Sequence, residues 1–431
     1  MSNSRANNSQ QLKFRSLDDW LAWQTTLHAR EIELGLDRIT EVAKRMGLLR
    51  CPFKVITVAG TNGKGSTVAM LTSILHHAGY RVGTYTSPHI VHYNERIRVG
   101  QRCVTDAQLC ASFAKIDAAR SEISLSFFEF ATLTALDIFH KEQVDVAVLE
   151  VGLGGRLDAT NMIDSDLGIV TSIGLDHTEY LGPDRESIGF EKAGIFRSKT
   201  PAICGDPLPP ASVAATAEKM GAHFVSLNQD YSYSVEKSSW SFNSAHYELQ
   251  GLPLPNLSGA VQLQNASTAL MGLHLISAQL PVNLEAIKTG LREVTLEGRF
   301  QRIVKECEVI LDVAHNYDSA EVLANNLVAL PKPEKTIAVF AILSDKDLTG
   351  IVQLLHGHVD EWYVSSVDSP RAMPIERVSA ALHEAAADTR VRSFNTVEQA
   401  YEQAQQDVSK GDRILVFGSI FTVSEVIASG K

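Results

Sequence analysis

The chain reads as an α/β protein of two domains. A larger N-terminal, P-loop-type, mostly parallel sheet is flanked by helices, and a smaller C-terminal Rossmann-like α/β domain follows. Three observations predict this. The length, 431 residues, exceeds what one core usually organises. A β-branched run, Val55-Ile56-Thr57-Val58, enters a glycine-rich turn and then a helix-spaced set of apolar residues. Beyond Gly298-Arg299-Phe300 a fresh alternation of strands and helices begins. The boundary is expected there, giving domains of 1–297 and 298–431.

The first motif is Gly60-Thr61-Asn62-Gly63-Lys64-Gly65-Ser66-Thr67. Glycines let backbone N–H groups approach an anion, and the next helix aims its free N–H groups at the same point. Lys64 adds a full charge, and Ser66 or Thr67 adds a hydroxyl. The spacing is shorter than the common phosphate loop, with only Thr61 and Asn62 between Gly60 and Gly63. Val68, Met70, Leu71, Ile74 and Leu75 then mark a helix that Gly79 stops.

Further strands are expected at 81–86, 144–149, 167–173 and 201–204. The first ends in Ser87-Pro88-His89, where Ser87 and His89 fit either a cap on the next segment or a place facing a nucleotide. The second ends in Glu150, a strand-tip carboxylate suited to a hard cation beside phosphates. The third runs on to Asp176-His177. Ligands of open α/β sheets collect at such strand ends. The glycine run 152–161 predicts a loop close to a ligand or another backbone. Lys192, in Glu191-Lys192-Ala193-Gly194, is by itself equally a surface lysine.

Residues 17–46 read as helical with a break near Gly35, and 1–14 as a polar disordered tail. A helix is expected at 127–143, with Phe127, Phe128 and Phe130 as core and Glu129 in need of a partner if buried. A small antiparallel sheet is expected at 231–249, and helices at 261–280 and 284–294. In the second domain, strands are expected at 309–311, 336–342, 362–364, 391–394 and 413–417, with helices at 320–329, 348–356, 375–387 and 397–408.

Composition narrows the function classes. Lys and Arg total 39 against 50 Asp and Glu, a formal net charge of −11, which argues against a nucleic-acid or anionic-membrane binder. Five scattered cysteines form no Cys-x-x-Cys pair, as expected of reduced thiols in a cytoplasm. No run of about 18 apolar residues suggests a spanning helix.

The phosphate loop, Ser87-Pro88-His89, the run Leu149 to Asn161, Asp176-His177 and Glu191-Lys192-Ala193-Gly194 together resemble the folylpolyglutamate synthases of the Mur ligase superfamily. The likeness continues through Gly298-Arg299-Phe300, Asp312-Val313-Ala314-His315-Asn316 and Asp345-Lys346-Asp347. Gly155-Arg156-Leu157-Asp158-Ala159-Thr160-Asn161 is similar to the branch that also makes dihydrofolate. The resemblance implies a monomeric ligase that uses ATP and two Mg²⁺ ions to join L-glutamate to dihydropteroate and to reduced folates.

It also implies roles. Thr61, Asn62, Gly63, Lys64, Gly65 and Ser66 would hold the ATP phosphates, with Asn265, Arg299 and Asp312 on the rest of the nucleotide. Ser87, Glu150 and His177 would hold Mg²⁺, and Lys192 would be carbamylated; Lys64, Lys192, His177 and Glu150 form the catalytic set. Leu34, Gly35, Leu36, Ser126, Phe127, Phe128, Glu129, Leu157, Asp158 and Ala159 would line the pterin-bearing substrate site. Two departures lie in the second domain: Tyr317 stands where the family has proline, and Ile420 where an aromatic is usual. Three other readings stay open at this point: a ligase of a cell-wall precursor, a P-loop switch or transport ATPase, and a silent nucleotide-binding regulator. The guanine-reading Asn-Lys-x-Asp motif of switches is absent.

Overall fold

The structure, a computed structural model, describes residues 13–14, 16–29, 33–304 and 306–430. Most of the polar tail expected at 1–14 lies outside the described residues. Among them, three sheets form. The first has eight strands: β1 (Lys54–Ala59), β2 (Val82–Tyr85), β3 (Ile97–Val99), β4 (Arg102–Cys103), β5 (Val146–Glu150), β6 (Leu167–Val170), β7 (Pro201–Cys204) and β8 (His223–Ser226). Their order is β4-β3-β2-β5-β1-β6-β7-β8. The run from β2 to β8 is parallel, and β3 and β4 close one edge antiparallel.

β1 sits centrally because it is apolar on both faces, as a doubly covered parallel strand must be. One face packs on the helices Lys64–His77, Val261–Leu275 and Leu284–Glu293. The other packs on Asp37–Met46, Asp106–Arg120 and Phe127–Lys141. Beyond the first face lies a three-stranded antiparallel sheet, β9 (Tyr231–Val235), β10 (Ser239–Ser244) and β11 (Glu248–Pro253).

The third sheet comprises β12 (Gln301–Val304), β13 (Glu308–Leu311), β14 (Thr336–Phe340), β15 (Glu361–Val364), β16 (Arg390–Ser393) and β17 (Arg413–Phe417), ordered β12-β13-β17-β14-β15-β16. Only β12 runs antiparallel. Helices cover both of its faces around two further apolar clusters.

Several expectations need correction. The 17–46 helix is two helices, Leu17–Gln24 and Asp37–Met46, and the break begins at Thr25, well before Gly35. The helix Val261–Leu275 ends five residues before the expected 280, and Tyr317–Val328 starts earlier than 320. The short strands β3, β4, β8 and β12 and the helices Asp106–Arg120, Ala211–Met220 and Ile420–Ala428 were not expected. Ser87 and His89 cap nothing: the next helical turn, Tyr93–Arg96, is capped by His92.

The two halves meet through polar groups. Asp176, just past β6, accepts from Lys346 Nζ at 2.7 Å and from Asn316 Nδ2 at 3.1 Å. His315 Nε2 lies 3.4 Å from the same carboxylate. Asn62 and Asn316 exchange a reciprocal amide pair at 3.3 Å. Lys346 and Asp176 side chains are only 6% and 10% exposed, so this ion pair is buried, and the Asp345 carboxylate stands 3.4 Å from the same ammonium. Burial would raise the Asp176 pKa, but the His315 hydrogen bond and the nearby Lys346 charge outweigh it and hold the carboxyl far below its usual range.

Two stability predictions follow from this packing. Gly290 lets Leu284–Glu293 touch the phosphate-loop helix; a Cβ there would stand 2.6 Å from Ile74 Cα. Gly290→Ala is expected to cost about 1–3 kcal/mol in urea unfolding, because backbone faces the new methyl; a neutral result would mean the helices separate freely. Asp176→Asn removes the nearer of the two carboxylates on buried Lys346, leaving Asp345 at 3.4 Å, and is expected to cost about 1–3 kcal/mol. It should also speed amide exchange at 312–316, and unchanged exchange there would show that the ion pair does not hold the interface.

Candidate active site

Neighbouring parallel strands deliver the functional groups side by side. β2, β5, β1 and β6 end, in that spatial order, at Ser87, Glu150, the loop Gly60–Lys64 and the segment Ser172–His177. Register explains the closeness, since Val58 pairs with Glu150 and Tyr85 with Leu149.

The phosphate loop is held by β6. Thr61 N–H donates to Ser172 O at 2.7 Å, Asn62 N–H donates to Ser172 Oγ at 3.1 Å, and Thr171 Oγ1 donates to Asn62 O at 2.6 Å. Gly60 permits that approach: a Cβ on it would fall 1.9 Å from Thr171 Oγ1. Lys64 begins the helix and donates to the carbonyls of Gly60 at 2.9 Å and Thr61 at 3.1 Å. Burial lowers its pKa, while the charges of Glu150 and Asp176 pull the other way. Ser66 lines the cleft and Thr67 does not.

Glu150 is buried and accepts from Ser87 N–H at 3.3 Å. Burial raises its pKa, opposed by Lys64 and Arg299. A Cβ on Gly65 would lie 3.8 Å from Glu150 Oε1 and 4.0 Å from Arg299 Nη2, so carboxylate and guanidinium converge on the helix N-terminus. Asp312 is committed on both oxygens, accepting from Phe300 N–H at 2.8 Å and Ala314 N–H at 2.7 Å.

His177 adopts a left-handed φ of 52°, a conformation that costs energy for a residue with a Cβ. Its N–H donates to Asp176 Oδ1 at 2.9 Å. Burial, against the pull of Asp176 and with the charges of Lys346 and Lys64, lowers its pKa to about 4. The ring is therefore neutral near pH 7, the state a metal ligand requires.

Lys192 is buried, contrary to the surface alternative. Its helix, Arg185–Ala193, is roofed by the glycine loop: Arg156 N–H donates to Glu191 O at 2.7 Å, and a Cβ on Gly155 would meet Lys192 O at 2.8 Å. Burial, then repulsion from Lys64, lowers the Lys192 pKa to about 7.

One cleft is lined by Thr61 to Ser66, Ser87, Glu150, His177, Lys192, Asn265, Arg299 and Asp312. A second cavity, of about 700 Å³, is lined by Leu34, Gly35, Ser126 to Glu129 and Leu157 to Ala159. Leu36 lies outside that lining and stands at the start of Asp37–Met46; Glu33 lines it instead. Phe127 and Phe128 are half-buried cavity walls, and only Phe130 is core. Gly152 lets Phe128 close on the loop, where a Cβ would lie 2.6 Å from the ring. Glu129 is partnered on Oε2, which accepts from Ser126 N–H at 2.8 Å and Arg38 Nη2 at 3.3 Å, while its buried Oε1 accepts no hydrogen bond and has only the Arg38 charge 3.3 Å away. Asp158 ties the loop down, accepting from Leu153 N–H at 2.9 Å and Thr160 Oγ1 at 2.7 Å. Ser87, Pro88, Gly152, Leu153 and His177 line both spaces, so the two join at one point.

Sequence reasoning gave no role to Asp176, His315, Asn316 or Lys346, although their motifs were visible. Asp176 directly follows a strand-end glycine and leucine, which is the signal that marks it. His89 faces away from the cleft and accepts from Arg96 Nε at 2.8 Å. The donor set fits a hard divalent cation: a hydroxyl on Ser87, a carboxylate on Glu150 and a neutral imidazole on His177, beside a phosphate loop. Among the described residues no group of three or more His, Cys, Asp or Glu is placed to hold a metal ion.

Comparison with known proteins agrees with this geometry. The family described as Mur ligase middle domain matches residues 58–277, and that described as Mur ligase, glutamate ligase domain matches 298–420. The chain is 46% identical over 412 residues to the dihydrofolate synthase/folylpolyglutamate synthase of Escherichia coli (strain K12), covering 95% of this chain and 94% of that one. It is 31% identical to the protein so named in Mycobacterium tuberculosis (strain ATCC 25618 / H37Rv), covering 93% and 88%. The solved structure described as E. coli FolC in complex with DHPP and ADP superposes with a TM-score of 0.91 at 46% identity, over 96% of this chain and 97% of that one. A bifunctional folylpolyglutamate synthase/dihydrofolate synthase with Mn, AMPPNP and L-glutamate bound gives 0.89 at 44% identity, over 97% and 99%. The chain belongs to the dihydrofolate synthase/folylpolyglutamate synthase family of Mur ligases.

Proposed function

We propose that this enzyme is an ATP-dependent ligase that joins L-glutamate to dihydropteroate, and then adds further glutamates to reduced folates, through an acyl phosphate. The observation that carries the reading is the junction at Ser87, Gly152 and His177, where the phosphate-loop cleft opens into the second cavity. A flat bicyclic acid in that cavity presents its carboxylate to the γ-phosphate of a nucleotide in the cleft. The division into 1–297 and 298–431 belongs to the same proposal; the onset of the third sheet at Gln301 supports it. So do a monomeric state and a cytoplasmic location, which rest on the family resemblance. No helix of the described residues is long and apolar enough to cross a membrane.

A carboxylate resists an amine because its charge is delocalised. Transfer of the γ-phosphoryl group to its oxygen breaks the P–O bond to ADP and supplies a leaving group. The glutamate amine then attacks the carbonyl carbon, loses a proton, and phosphate departs with the former carboxylate oxygen. The protein's part is positioning and neutralisation. Lys64 and the helix N-terminus offset charge on the transferring group. Arg299 adds a half-buried cation at the domain boundary, and Gly298-Arg299 is the proposed hinge. Closure of the halves through Asp176 and Lys346 keeps water from the acyl phosphate.

Ser87, Glu150 and His177 would hold Mg²⁺, which when bound neutralises phosphate oxygens. A second ion would sit toward His177 and Lys192. The neutral amine of Lys192 is nucleophilic near pH 7 and would take up CO₂, forming an N–C bond and releasing a proton. The carbamate converts a cation into an anion able to face a metal. Thr61, Asn62, Gly63, Gly65, Asn265 and Asp312 complete the nucleotide site, and the second cavity holds the pterin.

With ATP, dihydropteroate and glutamate, product mass should rise by one glutamate residue; ADP release that ignores omission of glutamate would exclude the ligase reading. Lys192→Ala is expected to lose roughly tenfold to a hundredfold in rate, with partial rescue by a small added carboxylate. Full activity would make Lys192 structural only. Because the folded pKa is lowered to about 7, the amine is free above that pH and protonated below it. A carbamate signal from ¹³C-labelled CO₂ should therefore grow as pH rises through 7, and a signal independent of pH would contradict the assignment.

A further inference from the structure

One buried cation of the second cavity has no acidic partner among the described residues. Arg96 lines that cavity together with Ser87 and Pro88, through which it opens to the nucleotide cleft. The residue is only 8% exposed. It ends the turn Tyr93–Arg96, immediately before β3, and its carbonyl accepts from Thr86 N–H at 2.9 Å. Tyr85 pairs with Ile97 in the antiparallel ladder of β2 and β3. The sheet edge thus fixes the Arg96 backbone beside the strand tip that carries Ser87.

Neutral groups hold the guanidinium. Its Cζ lies 5.5 Å from the Tyr93 ring centre and 5.4 Å from that of Phe127. Its Nε donates to His89 Nδ1 at 2.8 Å. No described residue accepts from its two Nη atoms or forms an ion pair with it. The acids nearby are committed elsewhere. Glu95 accepts from the N–H groups of Ile90, Val91 and His92 with its two oxygens. Glu33 and Glu129 pair with Arg38, and Asp158 accepts from Leu153 and Thr160. The Arg96 charge reaches Glu150 through space, behind those of Lys64 and Arg299. Burying a cation without a counter-charge costs free energy. The N–H groups left on the Nη atoms form a planar fork, the shape that pairs with a carboxylate.

We infer that Arg96 binds the carboxylate of the pterin-bearing acid where the cavities join, and that His89 is its positioning residue. This rests on the ligase reading given above. There Lys64, the helix N-terminus and Mg²⁺ neutralise the nucleotide, and no group has yet neutralised the acid. With Arg96 on the carboxylate, two anions can approach each other. Phosphoryl transfer takes one carboxylate oxygen. The other becomes the carbonyl oxygen of the acyl phosphate, keeps its place on the guanidinium, and gains charge as the amine adds. His89 occupies Nε and so leaves the Nη edge for the acid, while Tyr93 and Phe127 set the guanidinium plane.

The test compares equilibrium binding of dihydropteroate with that of its decarboxylated analogue, without nucleotide. The wild-type protein should favour the acid about tenfold to a hundredfold, and Arg96→Met should bring the two within about threefold. A wild-type preference retained by Arg96→Met overturns the inference. So does a rise in KM for L-glutamate with the acid preference intact, which would assign the guanidinium to the amino acid instead. If Arg96→Met does not fold, Arg96→Lys is measured: it keeps the charge, loses the fork, and should lower the preference; an unchanged preference overturns the inference. His89→Leu should lower the preference part-way and raise KM for dihydropteroate, and His89→Gln, which keeps an acceptor, should restore both. A wild-type preference in His89→Leu overturns the positioning role. Loss of the preference in Arg96→Met, beside a wild-type protein that forms no amide, would sink the ligase reading and leave carboxylate binding standing.

Discussion

The site depends on opposite charges buried together at the ends of parallel strands. Glu150 closes β5 out of contact with water, and Lys64 opens the helix after β1. Alone, either charge would be expensive to bury. Together with Arg299 they form a set in which burial moves each pKa, the two cations restrain the shift of Glu150, and Glu150 restrains the shifts of both cations. The strands enforce the set, because register along an apolar sheet fixes where each tip ends. A nucleotide's tail and its cation enter an arrangement that already holds both signs of charge. Little reorganisation is then left for the chemical step.

The same logic joins the two halves. Asp176 is the shared acceptor for Lys346 and Asn316, with His315 beside it, and its neighbour His177 faces both the cleft and the second cavity. Asn316 also caps the helix Tyr317–Val328, accepting from Ser319 N–H at 2.9 Å. One asparagine thus ties the phosphate loop, the strand-end carboxylate and a helix of the other half. The departure at Tyr317 is tolerated because that residue is exposed at the first helical position. Ile420, the other departure, lines a further cleft between the halves, which shares Gly65, Ser87, Glu150 and Arg299 with the nucleotide cleft; Ile420 itself does not line the nucleotide cleft.

Local chemistry made much of this legible. A β-branched strand followed by three closely spaced glycines and a lysine announces a phosphate loop, and an apolar strand ending in one glutamate announces a placed carboxylate. What stayed hidden is what only packing decides. Lys192 looks like any helix lysine until the glycine loop covers it. Asp176 finds partners 140 and 170 residues away, a distance no periodicity reports. Phe127 and Phe128 read as core because a cavity wall and a core face share one apolar pattern. Strands of two to four residues, such as β3 and β4, are too short to show alternation.

The central claim is that the organic acid meets the γ-phosphate directly where the two cavities join. Dihydropteroate labelled with ¹⁸O in its carboxylate tests this most directly. On ligation with ATP and glutamate, each phosphate released should carry one labelled oxygen from the acid. Phosphate free of label, with amide still formed, would contradict the account.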